Sequence, residues 1–232
     1  MALREYRKKR RFDVTPEPRG QAAPRTRKGK KLAFVVQKHR ATALHYDFRL
    51  EWQGVMLSWA VPRGPSYDPA VKRLAMQVED HPIEYAKFEG VIPAGEYGGG
   101  TVMLWDQGTW TPDDPDVPKA LAKGELKFAL AGEKLGGSWV LVRTRGYQGG
   151  KSWLLIKHRD DAASTVDIAT EAPRSVVSDR LLAEIAFEEG GDVRQAVTAD
   201  PPSAVEAALR DPRTAKRKRK RAPAVWHSNR SK

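Results

Sequence analysis

Three short tracts hold the side chains able to do chemistry. In LHYDFRLEW, residues 44–52, His45, Asp47, Arg49 and Glu51 alternate with Leu44, Tyr46, Phe48, Leu50 and Trp52. In an extended strand the two sets point to opposite faces. The apolar set packs a core, and the ionisable set forms a polar row with members about 7 Å apart. Glu51, at the end of the row, is assigned to the surface. FVVQKH upstream puts Val35, Gln37 and His39 on one face, and the connection Arg40–Ala43 is short enough for a hairpin that sets His39 beside His45 and Asp47. Two imidazoles and a carboxylate with open coordination positions suit Mn²⁺, Fe²⁺ or Zn²⁺ in catalysis. In RLAMQVEDH, alternation groups Gln77, Glu79 and His81, and Tyr85 follows Pro82. These three faces are expected to line one mouth of a barrel lumen, a common place for a ligand site.

The set fits phosphate-ester hydrolysis. A metal neutralises phosphoryl oxygens and activates water, Arg49 offers a planar fork for phosphate, and His81 can protonate the leaving oxygen. A lone strand histidine is more often a hydrogen-bonded structural group, and His158 and His227 are read that way. Trp59, Trp105 and Trp110 are read as core rather than as base-stacking surfaces. The tract EYGGG, Glu96–Gly100, is a loop or strand entry. It lacks the Lys-Ser/Thr and helix of a phosphate-binding P-loop.

The elements that must position these residues are mostly strands. Runs over 32–39, 44–52, 55–61, 73–81, 100–107, 125–131, 138–145 and 151–158 are broken by Gly, Pro and Asp. About eight such strands predict a mainly β fold, a compact closed or nearly closed antiparallel β-barrel with few short helices. One helix fits inside, over Val117–Lys123 with Pro118 near its start. The expected organisation is a basic, extended N-terminal arm over 1–31, the barrel over 32–160, and a polar extension over 161–211. Candidate helices in the extension are Ser178–Glu188 and Pro202–Arg210. A disordered basic tail over 212–232 follows.

Charge supports a nucleic-acid partner. The net charge is +12, with +9 in residues 1–31 and +9 in 212–232, which leaves −6 over 32–211. Basic ends of this kind grip phosphate backbones without reading sequence. The absence of cysteine excludes disulfides, thiolate metal sites and a cysteine nucleophile. No apolar run reaches the roughly 18 residues of a membrane span, and the first residues do not look like a secretory signal. The expectation is a soluble, cytoplasmic, nucleoid-associated protein with no membrane partner.

At these residues the sequence resembles a known family. FVVQKHRATALHYDFRLEWQGVMLSWAVPRGPS, VEDHPIEYAKFEGVIPAGEYGGGTVMLWDQGTW, YRKKRRFDVTPEP and SWLLIKHRD are together similar to the 3′-phosphoesterase domain of bacterial DNA ligase D, over about residues 4–160. The resemblance implies a compact β-barrel and a Mn²⁺-dependent enzyme. Such an enzyme trims a 3′-terminal ribonucleoside from a primer, leaving a 3′-phosphate, and then removes that phosphate to give 3′-OH for end joining. It implies that His39, His45 and Asp47 hold the metal and that Arg49 and His81 engage the scissile phosphate. Gln37, Glu79, Arg73 and Tyr85 support the site, and Arg10 and Glu17 act from the N-terminal motif. Implied partners are DNA or RNA/DNA primer–template 3′ ends, with Ku and a separate ligase or polymerase as candidates. The motif departs at Arg11, where an acidic residue is expected, and at His158, where lysine is common. The chain has no room for polymerase or ligase domains, so a stand-alone module or one piece of a split repair system is expected.

Two other readings compete. His45-x-Asp47 followed by His81 matches the facial triad of a non-haem Fe(II) oxygenase, which leaves His39 and the basic ends unexplained. A non-catalytic DNA-binding module explains the charge and leaves the triad idle.

Overall fold

Alternating apolar residues close into a barrel when every strand finds two neighbours, because closure removes the unpaired sheet edges. The computed structural model describes residues 3–20, 31–144 and 148–211. The basic run Lys216–Arg221, His227 and the expected disordered tail lie outside the described residues.

In chain order the elements are α1 (Arg4–Lys8), β1 (Leu32–Arg40), β2 (Leu44–Trp52), β3 (Val55–Val61), β4 (Arg73–Gln77) and β5 (His81–Pro82), then a 3-10 turn (Ile83–Lys87). Next come β6 (Gly90–Ile92), β7 (Gly100–Pro112), α2 (Val117–Lys123), β8 (Glu125–Gly132), β9 (Gly136–Arg143) and β10 (Ser152–Lys157). The chain continues through α3 (Ile168–Glu171), α4 (Leu182–Glu189), α5 (Val193–Val197) and α6 (Pro202–Arg210). Eight antiparallel strands form the barrel in the order β1-β2-β3-β4-β10-β9-β8-β7, and β7 pairs back onto β1 to close it. β5 attaches to β3, and β6 attaches to β7.

The lumen is apolar. Phe34, Phe48, Trp59, Ala75, Trp105, Phe128, Trp139 and Trp153, one from each barrel strand, belong to a single buried cluster. Trp59 and Trp153 meet edge to face at 6.1 Å between ring centroids, a favourable aromatic geometry. Trp59, Trp105 and Trp110 are core residues, as expected. The β2–β3 turn is two residues, Gln53 (φ 47°) and Gly54 (φ 85°), the left-handed pair that a tight hairpin with right-handed strand twist requires. Helix α2 begins where Asp116 accepts the Lys119 amide and ends at Gly124 in the left-handed conformation.

Three expectations need correction. The N-terminal segment is not simply extended: Arg4–Lys8 is helical, with Glu5 in its first turn and Arg7 and Lys8 in its last, the order the helix dipole favours. Tyr6 of that helix is fully buried, and its hydroxyl donates to Pro18 O at 2.6 Å. The run 73–81 is two strands, because β4 stops at Gln77 and the chain re-pairs only at His81–Pro82, against Val55 and Met56. The helix expected from Ser178 starts at Leu182, because Glu89 holds the preceding stretch through Ser175 (2.6 Å), Ser178 (2.5 Å) and Arg180 (2.9 Å).

The segment after the barrel folds onto it. Leu182, Ile185, Ala186, Ala196 and Ala199 join the lumen cluster and cover one end. There Lys38 Nζ meets Asp200 Oδ1 at 3.1 Å, both fully buried. Asp200 also accepts the Leu182 and Ala183 amides, which have no partner within α4. Among the described residues no helix is long and apolar enough to cross a membrane.

Candidate active site

The β1–β2 hairpin positions the central group by register. His39 stands directly opposite His45, and Gln37 stands opposite Asp47. Pairs of this kind bring side chains within about 5 Å on one face. Because Tyr46 and Phe48 fill the lumen, His45, Asp47 and Arg49 must lie on the outer face. The expectation of a lumen mouth is therefore overturned. The site is built on the outside of β1–β3 and roofed by the N-terminal segment, the 3-10 turn and the loop before β7. A cleft of about 300 Å³ results, lined among others by Arg10, His39, His45, Asp47, Arg49, Glu79, His81, Tyr85 and Tyr97.

His39, His45 and Asp47 converge. One ligand atom from each lies within 4.8 Å of the others, and this is a group that could hold a metal ion. His39 Nδ1 is 3.6 Å and His45 Nε2 is 3.8 Å from Asp47 Oδ2. The far ring nitrogens are both anchored. His39 Nε2 donates to Gly98 O at 2.8 Å, and His45 Nδ1 donates to Ala43 O at 3.1 Å. These partners put the proton on the outer nitrogen of each ring and leave the inner lone pair free, as a metal-ligating histidine requires. Burial pushes His45 below its ordinary pKa, opposed by Asp47 and reinforced by His39, so the ring stays neutral. Burial works against ionisation of Asp47, but Arg49 and both imidazoles outweigh it and hold the carboxyl well below the usual range. The donor set is thus two imidazoles and one carboxylate.

Arg49 is fixed on three sides. Its Nε donates to Gln37 Oε1 (2.8 Å), one terminal nitrogen donates to Ser58 Oγ (2.8 Å), and the other meets Asp47 at 3.1 Å. The Tyr85 ring lies 4.9 Å from its guanidinium carbon. Two N–H groups of the fork remain for an anion. Gln37 spends its amide nitrogen on Tyr85 O (3.0 Å) and Phe88 O (2.8 Å). It is fully buried and does not line the cleft: it supports the site, as expected, by holding Arg49.

A second arginine arrives from the N-terminal segment. Arg10 donates to Glu17 (2.7 Å), to Tyr6 O (3.2 Å) and to Glu79 (3.3 Å), and stacks 3.9 Å over the Tyr6 ring. Its remaining terminal nitrogen lies 3.2 Å from His81 Nε2. His81 Nδ1 donates to Glu79 O at 2.9 Å, so Nε2 carries the lone pair. Burial, then Arg49 and Arg10, hold His81 well below the ordinary imidazole range. Burial likewise pushes the Tyr85 phenol well above its usual value.

The other expected site residues are placed as follows. Glu79 lines the cleft and bridges Lys9 (2.8 Å) and Arg10. Glu17 is buried beneath Arg10, with Thr15 Oγ1 at 2.9 Å, and is not on the cleft surface. Arg73 is not brought in: it sits on β4 on the face shared with Ala75 and Gln77, toward the lumen. Gln77 accepts from Trp153 Nε1 there, so its grouping with Glu79 and His81 fails where β4 ends. Glu51 is buried rather than exposed and accepts the Ala33 amide at 3.0 Å. Arg11, where the family motif departs, is exposed at the rim beside Glu96 (3.7 Å). His158 bonds Ser138 Oγ at 2.8 Å, the structural role expected of it. Sequence reasoning missed Lys9, Ser58, Tyr97 and the Gly98 carbonyl. Only Ser58 left a signal, as the polar residue on the outward phase of VMLSWAV.

Residues 37–143 match the family model of the DNA Ligase D 3′-phosphoesterase domain. Over that span the chain is similar to the DNA ligase D 3′-phosphoesterase domain. The matched span of that domain includes the triad, Arg49, His81 and Tyr85, whereas Arg10 and Glu17 precede it. The multifunctional non-homologous end joining protein LigD of Pseudomonas aeruginosa is 55% identical over 185 residues, covering 78% of this chain and 22% of that protein. The multifunctional non-homologous end joining DNA repair protein LigD of Mycobacterium tuberculosis is 46% identical over 148 residues, 62% of this chain and 18% of that protein. The corresponding protein of Mycolicibacterium smegmatis is 42% identical over 163 residues, 68% of this chain and 21% of that protein. The chain spans about a fifth of the length of the curated relatives it matches.

Proposed function

We propose that this protein is a metal-dependent 3′-end-healing phosphoesterase. It removes 3′-phosphates and 3′-terminal ribonucleosides from primer ends to leave the 3′-OH needed for end joining. The observation that carries the reading is the meeting, in one cleft, of a three-donor group with two arginines and a neutral histidine. The relatives' non-homologous end joining names and the basic ends support a DNA substrate. Ku and a separate ligase or polymerase are the partners this role would need, and the cytoplasm is where it would act.

His39 Nδ1, His45 Nε2 and an Asp47 oxygen would hold the metal. Their chemistry, two borderline nitrogens and one hard oxygen, fits Mn²⁺ and related divalent ions. When bound, such an ion neutralises phosphoryl oxygen charge and acidifies water. Arg49, already oriented by Gln37 and Ser58, receives a phosphoryl oxygen through its two free N–H groups. Arg10 faces the same space, held by Glu17 and Glu79. A phosphate dianion between the two guanidiniums offsets their repulsion of a proton on His81 Nε2. His81 can then take up a proton and deliver it to the departing O3′. The oxygenase reading takes His81 as third ligand, but His81 Nε2 faces Arg10 and is not part of the three-donor group.

The reading is tested on primer–templates ending in a 3′-phosphate or in one 3′-ribonucleotide. Wild type with Mn²⁺ is expected to convert both to 3′-OH ends. If both ends stay intact across divalent metals and pH, the reading is wrong.

A further inference from the structure

The rim of the cleft carries an aromatic ring that the chemistry above does not use. Tyr97 is 48% exposed, yet it lines the same cleft as the three-donor group. Its ring is held in place. Lys9 Nζ donates to its hydroxyl at 3.2 Å, stands 4.6 Å from the ring centroid, and is itself fixed by Glu79 at 2.8 Å. The backbone beneath is fixed as well. Gly99 N bonds Glu96 O at 3.0 Å, and a Cβ at Gly99 would come within 2.8 Å of Pro93 O. The next residue, Gly98, gives its carbonyl to His39, so the ring is one residue from the atom that orients a candidate metal ligand. One side of the ring is thus backed by a cation, and its exposed surface borders the place where the phosphate must sit.

We infer that Tyr97 is the platform on which the base of the primer's terminal nucleotide stacks while its 3′-phosphate enters the cleft. A fixed ring costs little ordering on binding, and stacking accepts any base because every base has a π face. The neighbouring cations Lys9 and Arg10, the latter 5.7 Å from the ring centroid, suit the adjoining phosphates. Tyr97 would therefore let the site recognise a nucleic-acid end rather than a phosphate ester in general. The inference rests on the 3′-end reading of the cleft.

Two primer–templates test it, one with its 3′-phosphate on an ordinary nucleotide and one with it on an abasic tetrahydrofuran residue. Wild type is expected to favour the base-bearing end about tenfold or more in kcat/KM, the scale of one stacked base. Tyr97→Ala should bring that ratio close to one, and Tyr97→Phe should keep it. A wild-type ratio of one, or a ratio that survives Tyr97→Ala, overturns the inference. So does loss of the ratio in Tyr97→Phe, which would assign the effect to the hydroxyl bond with Lys9. Wild type that turns over neither end overturns the end-healing reading and this inference with it.

Discussion

Each reactive side chain is held by a partner that does no chemistry itself. Gly98 O and Ala43 O fix the two imidazoles, Gln37 and Ser58 fix Arg49, and Glu17 fixes Arg10. Such supports commonly influence metal affinity or rate by 10- to 100-fold. Gln37→Met fills a similar volume but leaves the Arg49 Nε–H and two carbonyls without their partner. It should lower kcat/KM on a 3′-phosphate primer by about 10- to 100-fold. Circular dichroism would show whether the barrel persists, and a loss under twofold would remove Gln37 from the site. Glu17→Gln keeps the shape beneath Arg10 and removes the charge. It should slow turnover by roughly tenfold, read by single-turnover quenching, because an orienting bond to Arg10 is weakened rather than deleted.

At the scale of elements, alternation in β1 and β2 made the central group legible, since a period of two leaves no freedom about which residues share a face. It also put the apolar face of β2 in the core, as the lumen cluster shows, but it misplaced the polar face, which lies outside the barrel under a roof that no strand-level signal reveals. The third tract was grouped correctly for Glu79 and His81 by a strand that does not exist, because the break after Gln77 re-aims the chain. Patterning did not show the N-terminal roof: its charges read as an extended arm, the family resemblance alone pointed to Arg10 and Glu17, and their burial with Tyr6 arises only in tertiary context. The segment after the barrel depends on a similar contact. Asp200→Ala strands Lys38 in the core and should cost about 3–5 kcal/mol in urea unfolding. The pair change Lys38→Met with Asp200→Leu should recover much of that loss, since no charge then remains buried. Equal losses in single and double variants would argue against the ion pair as the anchor.

For the whole molecule, the positive charge is concentrated at the two ends of the sequence, the first of which also sends Arg10 into the cleft. Residues 32–211 carry −6, whereas 1–31 and 212–232 carry +9 each. On the proposed reading, cations in the two ends would supply the long-range attraction for phosphate backbones, while Arg10 and Arg49 would act locally in the cleft. Deleting 212–232 should weaken primer–template binding and reduce the slope of log K against log salt, because fewer counterions are released. An unchanged slope in fluorescence anisotropy titrations would place the DNA contacts elsewhere. The proposed activity depends on the group formed by His39, His45 and Asp47. Its most direct test is the rate of 3′-phosphate removal from a primer–template, measured against added Mn²⁺ for wild type and Asp47→Ala. Saturable Mn²⁺ activation of wild type, with at least about 100-fold less activity in a folded Asp47→Ala at every metal concentration, is the predicted result. Equal rates for the two proteins, or a wild-type rate indifferent to divalent metal, would contradict it.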